Sequence, residues 1–562
     1  MYLPNEHKIW VGTNAARERM YLEPRMANRH GIIAGATGTG KTVTLKVLAE
    51  SFSDMGTSVF LVDVKGDVSG LLCPGEMNEN ITGRVQSMGI EGFTTCGYPV
   101  RFFDVYGKKG IPVRTTVSDM GPDLLARIME LTQVQTEVLS VVFKIADDNG
   151  WLLIDTKDLR AMLQYAGENA KQFMLKYGSL PSQTIAAIQR NIVHLEANGG
   201  EIFFGEPALD IADWLDADAQ GRGVINLLHS VELIQNPLLY SAFLLWMLGD
   251  LYERLPEAGD LPQPKLVFFF DEAHLLFGTA SKTLLSKVEQ VARLIRSKGV
   301  GIYFITQSPS DIPDTVLAQL GNKIQHALRA YTPKEQKAVK AAAQGFRTNP
   351  AFDSETALGE LGTGEALVSF LDQGGIPSVV ERAKILPPRS LIAPSPDITV
   401  RASIDADPLF AKYAESFDRE SAYELLVSKR EQEVAAAEHA AREAQLAAEE
   451  ADRKAREAKE AQKAADAAAK EQQKAQLEAQ RLQARAQAEA IKLQAKAEAD
   501  QAKQRAKAIS DAQKAEEKRQ REAAAAAKKR QQATARAVGS FTGTVGRQIG
   551  KEIIRGIFGG RR

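Results

Sequence analysis

An eight-residue segment, GATGTGKT, combines glycines, a lysine and a hydroxyl in an order that suits phosphate binding. It follows a short apolar run and precedes apolar residues at helical spacing, which is the strand–loop–helix setting of the G-x-x-x-x-G-K-[ST] pattern. Its glycines would let backbone N–H groups wrap around phosphate oxygens at the amino end of the helix. Lys41 would reach the β- and γ-phosphates of ATP, and the Thr42 hydroxyl would ligate Mg²⁺. The predicted nucleotide contacts are Gly35, Ala36, Thr37, Gly38, Thr39, Gly40, Lys41 and Thr42.

Two adjacent carboxylates end a second apolar run, KLVFFFDEAH. Residues 266–270 have the composition of a strand buried on both faces, and open α/β sheets bind ligands beyond the carboxyl ends of such strands. Asp271 is therefore predicted to complete the Mg²⁺ shell, and Glu272 to orient and deprotonate the attacking water. The pair favours ATP hydrolysis over phosphotransfer to a small molecule. We interpret His274 as incidental, because it has no Cys or His partner at ligand spacing.

A glutamine and three arginines surround a third apolar run, GVGIYFITQSPSDIP. The amide of Gln307 would contact the γ-phosphate or the catalytic water, but an amide at this position also commonly satisfies loose backbone groups. Arg293 and Arg296 precede the run on one helical face, and Arg329 follows the next apolar run. Each arginine either reaches the γ-phosphate of a neighbouring subunit or is an ordinary surface residue. The residue types alone do not decide these alternatives.

Further apolar runs end in polar residues and complete a predicted sheet: TSVFLVDVKGD, GRGVINLLHS and GEALVSFLD. A block of helical periodicity separates the glycine-rich loop from Asp271. The predicted fold is α/β, of the RecA-like P-loop NTPase class, with a mainly parallel central sheet, an inserted helical subdomain and a long helical tail. The predicted segments are the amino-terminal core (1–118), the helical subdomain (119–210), the core with the Asp-Glu and glutamine strands (211–400), a linker (401–430), the tail (431–537) and a basic amphipathic segment (538–562).

The tail is built from Ala, Lys, Glu, Gln and Arg, which have high helix propensities. Opposite charges recur three or four residues apart, which favours an exposed helix. Alanine fills most core positions of any heptad, so a solvated helix or weak alanine coiled coil is favoured over a leucine-type coiled coil. The segment 538–562 interleaves apolar and basic residues. It would dock on the protein itself, on another subunit, or by peripheral contact on a membrane, and we favour the first two.

Bulk composition narrows the function classes. The 562 residues carry a formal net charge of −1, so no global field attracts nucleic acid or acidic membranes. Two cysteines, Cys73 and Cys96, cannot build a disulfide framework or a common zinc site. No signal peptide or bilayer-spanning apolar run is evident. A cytoplasmic location is expected.

Taken together, these motifs resemble the HerA/FtsK group of ring-forming P-loop ATPases, and within it the HerA-like branch. The matching segments are GATGTGKT, VDVKGD, FFFDEAHLL, ARLIRSKGVGIYFITQSPSDIP and NKIQHALRAYTPKEQ, within residues 8 to 395. The resemblance implies that Gln307 senses the γ-phosphate and that Arg296 completes a neighbour's active site, with Arg293 and Arg329 as alternatives. About thirty residues precede the first of these segments, too few for the β-barrel that HerA uses to dock a nuclease.

The resemblance implies an Mg-ATPase, a homo-hexamer, that translocates or remodels duplex DNA through contacts with backbone phosphates. The DNA expectation rests on the family, since the core has no strongly basic block. A second hypothesis is an ATP-switched assembly or membrane-associated scaffold that acts on protein partners through the tail. A small-molecule kinase is disfavoured by Glu272.

Overall fold

The computed structural model describes residues 1–279, 282–465 and 478–503, and these fall into two compact units, Met1–Leu426 and the residues from Val427 onward. The strands are β1 (Tyr2–Leu3), β2 (Lys8–Asn14), β3 (Arg19–Leu22), β4 (Gly31–Ala34), β5 (Ser58–Asp63), β6 (Val100–Asp104), β7 (Ile111–Pro112), β8 (Ile225–His229), β9 (Leu266–Phe270), β10 (Val300–Thr306), β11 (Asn322–His326), β12 (Glu365–Ser369) and β13 (Glu381–Ile385).

Some helices flank the sheet that these strands form, others lie between β7 and β8 in the sequence, and the last belongs mostly to the second unit. They are α1 (Lys41–Asp54), α2 (Glu79–Met88), α3 (Val117–Ile128), α4 (Gln133–Asn149), α5 (Thr156–Glu168), α6 (Ala170–Tyr177), α7 (Ser182–Leu195), α8 (Glu201–Phe203), α9 (Pro237–Arg254), α10 (Ala273–Thr279), α11 (Lys282–Leu294), α12 (Asp314–Leu317), α13 (Pro333–Gln344), α14 (Ser354–Glu360), α15 (Asp397–Ala406), α16 (Pro408–Tyr413) and α17 (Ala422–Ala465).

The thirteen strands of the described residues belong to one sheet with the order β1-β2-β13-β12-β11-β4-β10-β9-β5-β8-β6-β7, and β3 pairs with β2. Every pairing from β11 to β7 is parallel, whereas β12, β13 and the amino-terminal strands add antiparallel pairs at one side. This confirms the predicted α/β fold with a mainly parallel sheet. Because parallel strands end at the same edge, β4, β10, β9 and β5 all direct their carboxyl ends to one place.

Strand β9 shows why the central strands are apolar throughout. All five of its residues are buried, because helices cover both faces of the sheet. Phe268 lies on one face with Phe60, at 5.1 Å between ring centroids, and Phe60 in turn contacts Trp214 at 4.3 Å. Phe269 faces the other way and lies 5.4 Å from Tyr303. The strand that carries the two carboxylates is thus held by aromatic packing on both sides.

Helices α3 to α8 fall between β7 and β8, which confirms the predicted helical insertion. Helix α4 begins with a reciprocal capping box between Thr132 and Gln135, and the buried Asp158 accepts hydrogen bonds from the Ser421 hydroxyl and the Tyr423 amide. The most apolar helix, α9, lies in the core. Among the described residues, none of the helices has the length and apolar character needed to cross a bilayer.

The second unit contains the helical tail. Most of α17 belongs to this unit, and residues 478–503 form a second exposed helix. The Gln445 amide donates a hydrogen bond of 3.1 Å to the Ala488 carbonyl, so the two helices touch. The described part confirms the predicted long helical tail. The predicted amphipathic segment 538–562 lies outside the described residues.

Truncation of a buried leucine tests the packing of the sheet. Leu61 in β5 is fully buried beneath α1, so Leu61→Ala should lower the free energy of unfolding by about 2–5 kcal/mol through lost burial and a residual cavity. Urea-induced unfolding followed by tryptophan fluorescence measures this loss. The matched control is Leu175→Ala in α6, whose side chain is 98% exposed and whose loss should change the value by less than about 0.5 kcal/mol. Equal effects of the two substitutions would contradict the core assignment.

Candidate active site

The glycine-rich loop connects β4 to α1, which begins at Lys41. Gly40 has φ 110°, a left-handed value that a side chain would strain. A Cβ atom on Gly35 would lie 2.5 Å from the Cβ of His326, so only glycine allows the chain to pass there. Thr37 and Gly38 form the exposed tip of the loop. The sequence thus folds into the open backbone cradle that its pattern predicts.

Neighbouring strands fix the position of this loop. The Gly35 N–H donates to the Thr306 carbonyl at 3.2 Å, and the Ala36 N–H donates to the Ala327 carbonyl at 2.8 Å. These acceptors end β10 and follow β11, the two strands on either side of β4. The loop is therefore hydrogen-bonded to the sheet edge itself and does not depend on a ligand for its course.

Lys41 folds back over the loop. Its Nζ donates to the carbonyl oxygens of Gly35 at 2.7 Å and Ala36 at 3.1 Å. Burial lowers the pKa of this ammonium, and the charge of Lys65 lowers it further, while the charges of Glu272 and Asp271 oppose the shift. The lysine is thus surrounded by the charged groups of the neighbouring strand ends.

Asp271 stands at the carboxyl end of β9 and is 7% exposed. Burial raises the pKa of this carboxyl to about 7, and the negative charge of Glu272 adds to the shift, while Lys65 opposes it. The phenol of Tyr240, from α9, is buried close enough to feel the same charge, so burial and Asp271 both raise its pKa. The ionised form of such a carboxyl is strongly stabilised by a cation placed next to it.

Glu272 is a nearly buried carboxylate with several polar neighbours. Its backbone has φ 48°, rare for a residue other than glycine, and its side chain is 4% exposed. One carboxylate oxygen, Oε1, accepts a hydrogen bond from the Lys65 ammonium. The other, Oε2, lies 3.5 Å from the Gln307 amide nitrogen and 3.0 Å from Nδ1 of His274. Burial alone would raise the pKa of Glu272, but Lys65 outweighs it and the pKa is lowered.

Gln307 follows β10, the strand between the loop strand β4 and the carboxylate strand β9. The turn after it is fixed by Asp311, which accepts hydrogen bonds from the Thr306 hydroxyl at 2.6 Å and the Ser308 amide at 2.9 Å. Asp311 thus holds this turn without the side chain of Gln307, and the Gln307 amide faces Glu272. The structure brings together Lys41, Thr42, Asp271, Glu272 and Gln307 at one sheet edge.

Two of the three arginines precede β10 and lie away from this edge of the sheet. Arg296 belongs to a short helical turn, Ile295–Lys298, that precedes β10, so it sits at the opposite edge of the sheet from Gln307. The seven residues of β10 separate the two edges by roughly 20 Å. Arg293 is exposed in α11, and Arg329 follows β11 and donates to the Gly359 carbonyl at 2.8 Å. Neither Arg293 nor Arg296 is placed at this chain's own carboxylates.

Two further residues beside the carboxylates were not predicted as site residues. Lys65 follows β5, and its signal was the polar end of the run VDVKGD. His274 was interpreted as incidental, and the turn after Glu272 places its Nδ1 3.0 Å from that carboxylate. Asp63, beside Lys65, accepts hydrogen bonds from the amides of Gly66 and Val68 and so shapes the loop that carries the lysine.

A buried histidine supports the loop from behind. Nε2 of His326 lies 2.8 Å from the Thr44 hydroxyl of α1, and its Nδ1 lies 2.9 Å from the Glu365 carbonyl. Burial lowers the pKa of His326 to about 4, so the ring is neutral near pH 7. His326 lies in the segment NKIQHALRAYTPKEQ, but its role could not be predicted there because it depends on the pairing of β11 with β12.

The site suits a magnesium nucleotide. An added Cβ on Gly38 would meet no atom within 4 Å, so the loop tip is open at that position. Thr42 and Asp271 supply a hydroxyl and a carboxylate, the oxygen ligands that Mg²⁺ prefers. The described residues contain no group of three or more His, Cys, Asp or Glu side chains able to hold a metal by themselves. Mg²⁺ sites in nucleotide-binding proteins generally combine one or two such protein ligands with phosphates and water.

A family model described as helicase HerA-like C-terminal matches residues 8–488 of this chain. The chain belongs to the HerA-like helicase family. This confirms the resemblance seen in the motifs. The HerA-like chain is 24% identical over 354 residues to the DNA double-strand break repair helicase HerA of Sulfurisphaera tokodaii, covering 60% of this chain and 62% of the relative. It is 23% identical to the HerA helicase of Sulfolobus acidocaldarius, covering 64% and 65%.

The HerA-like chain thus spans less than two thirds of the length of these relatives. Solved structures similar to it include the plasmid coupling protein TrwB in complex with ADP and Mg²⁺, with a TM-score of 0.43, 15% identity, and coverage of 66% of this chain and 88% of that one. VirB4 of Thermoanaerobacter pseudethanolicus has a TM-score of 0.42 and 16% identity, with coverage of 67% and 96%.

Protonation of His326 should destabilise the folded protein. Its pKa of about 4 lies below the ordinary value near 6.5, so the unfolded chain binds the proton first as the pH falls. The stability that His326 contributes is complete above pH 6.5 and is lost as the pH falls toward 4. His326→Gln, which keeps an amide near Thr44, should therefore flatten the fall in melting temperature across this range. His30, also buried with a pKa lowered to about 4, is the same in both proteins and cancels in the comparison. Parallel curves would contradict this assignment.

Proposed function

We propose that this HerA-like chain is an Mg²⁺-dependent ATPase that works in a homo-hexameric ring and moves or remodels duplex DNA. The observation that supports it best is the meeting of Lys41, Asp271, Glu272 and Gln307 at the carboxyl edge of four parallel strands. These are a phosphate-binding cation, a metal ligand, a base and an amide, which is the set that ATP hydrolysis needs.

Each residue has a distinct proposed role. The loop from Gly35 to Thr42 binds the phosphates through backbone N–H groups, and Lys41 leaves the loop carbonyls to hold the β- and γ-phosphates. Thr42 and Asp271 hold Mg²⁺, which when bound neutralises charge that develops on the phosphate oxygens. Glu272 orients a water molecule and accepts its proton. Gln307, which follows β10 and already faces Glu272, senses whether the γ-phosphate is present.

A ring arrangement is supported by the place of Arg296. It lies at the amino end of β10 and so faces away from this chain's own carboxylates. In a ring, one subunit's amino edge would meet the next subunit's loop, and Arg296 would stabilise charge on the neighbour's γ-phosphate. Arg293 and Arg329 are alternatives for this role. The number of six subunits rests on the family.

The DNA substrate is supported by the family and by the relatives that are named helicases. With a net charge of −1, the chain has no overall attraction for DNA, so contacts would be confined to a local surface and directed to backbone phosphates. Contacts of that kind hold any sequence, as a translocating motor requires.

Replacement of the proposed base tests the hydrolytic step. Glu272→Gln should lower kcat for ATP by roughly 100-fold or more, because the amide cannot take a proton from water. Binding of a non-hydrolysable ATP analogue, measured by fluorescence titration, should persist. The matched control is Glu76→Gln, a change of the same chemistry at an exposed loop position, which should leave kcat unchanged. Hydrolysis at the normal rate in Glu272→Gln would show that another group is the base.

Addition of duplex DNA tests the substrate. The ATPase rate should rise when duplex DNA is added at low salt, and the rise should shrink as salt increases, because phosphate contacts release counterions. The same titration with Glu272→Gln gives the background. A rate indifferent to DNA, together with vesicle binding that requires residues 538–562, would instead support the ATP-switched membrane-associated scaffold.

A further inference from the structure

Lys65 occupies a position that the roles above do not explain. It follows β5, the neighbour of β9, and the two strands are in register through Val62 and Phe270. The residues just beyond these ends therefore lie side by side, which brings Lys65 to Glu272. The ion pair is a consequence of sheet register and not of a chance surface contact.

Both carboxylate oxygens of Glu272 have a polar neighbour. Oε1 is taken by Lys65, and Oε2 faces both Gln307 and His274. A base that is to accept a proton from water needs an oxygen lone pair directed at that water. The arrangement in the structure is thus one in which the proposed base is held and shielded.

The two partners differ in their access to solvent. The side chain of Lys65 is 46% exposed, whereas that of Glu272 is 4% exposed. Burial alone would lower the pKa of Lys65, but the hydrogen bond and charge of Glu272 raise it. The lysine also lies close enough to Lys41 for its charge to lower the pKa of Lys41. An incoming phosphate bound at Lys41 would therefore attract Lys65 as well, and the exposed lysine is the partner able to move.

We propose that Lys65 is a positioning residue that restrains Glu272 in the resting site, and that the restraint slows hydrolysis until the ammonium shifts toward bound phosphate. The proposal rests on the proposed ATPase function. It adds a regulatory step to that site: turnover depends on release of the Lys65–Glu272 pair as well as on the chemistry.

Removal of the ammonium tests the restraint. Lys65→Met keeps the length of the side chain and deletes its charge, and it should raise kcat of the full chain without DNA by roughly tenfold, the effect of losing one charge-assisted hydrogen bond. Lys65→Arg keeps the charge and should remain near the wild-type rate. Lys108→Met is the matched control, since Lys108 pairs with Glu232 after β6, separated from β9 by two strands, and should have no effect.

The outcomes distinguish a failure of the Lys65 restraint from a failure of the proposed ATPase function. A lysine with only a structural role would lose activity when replaced, so a gain of rate in Lys65→Met, with ATP-analogue binding retained, supports the restraint. An unchanged or lower kcat in Lys65→Met and in a second variant, Lys65→Gln, would overturn it, as would an equal gain in Lys65→Arg. A wild-type chain without Mg²⁺-dependent ATPase activity would instead refute the proposed function itself.

Discussion

Parallel hydrogen bonding between β4, β10, β9 and β5 is the constraint on which the site depends. Four short apolar strands in register end together, so groups far apart in the sequence are delivered to one edge. Lys65, Asp271 and Gln307 come from three different strand ends, and the glycine-rich loop comes from a fourth. Aromatic packing on both faces of β9 keeps that edge in place, so that the positions of the charges follow from the core.

Charge balance is the second organising feature. Two ammonium groups, Lys41 and Lys65, face Asp271 and Glu272 in a site where burial penalises every charge. The ion pair lowers the pKa of Glu272, while its neighbour Asp271 has no comparable partner and its pKa rises to about 7. Glu272 is thus kept ionised by a lysine of the protein itself, whereas Asp271 is suited to an added cation. Such a division follows from which strand end each residue faces.

Features encoded by a few adjacent residues could be predicted from the sequence. Contacts that depend on which strands are neighbours in the sheet could not. GATGTGKT and FFFDEAH specify a loop and a strand end within a few residues, and the α/β class followed from them. The proximity of Gln307 to Glu272 required knowledge that β10 neighbours β9. Lys65 and His326 depend on pairings of β5 and β11 that no short pattern encodes. The closeness of His274 to Glu272 could not be predicted either, because the turn geometry at Glu272, with its positive φ, is not visible in residue types.

Strand β10 has Gln307 beyond one end and the Arg296 turn before the other. A fully hydrogen-bonded strand in the middle of a sheet does not stretch or bend easily, so a displacement at one end moves the other by the same amount. If Arg296 completes a neighbour's site, strand β10 connects that site to the site of its own subunit, and consecutive nucleotides around the ring are linked in this way. Because β10 is hydrogen-bonded to β4 and β9, such coupling would move the central sheet as one body.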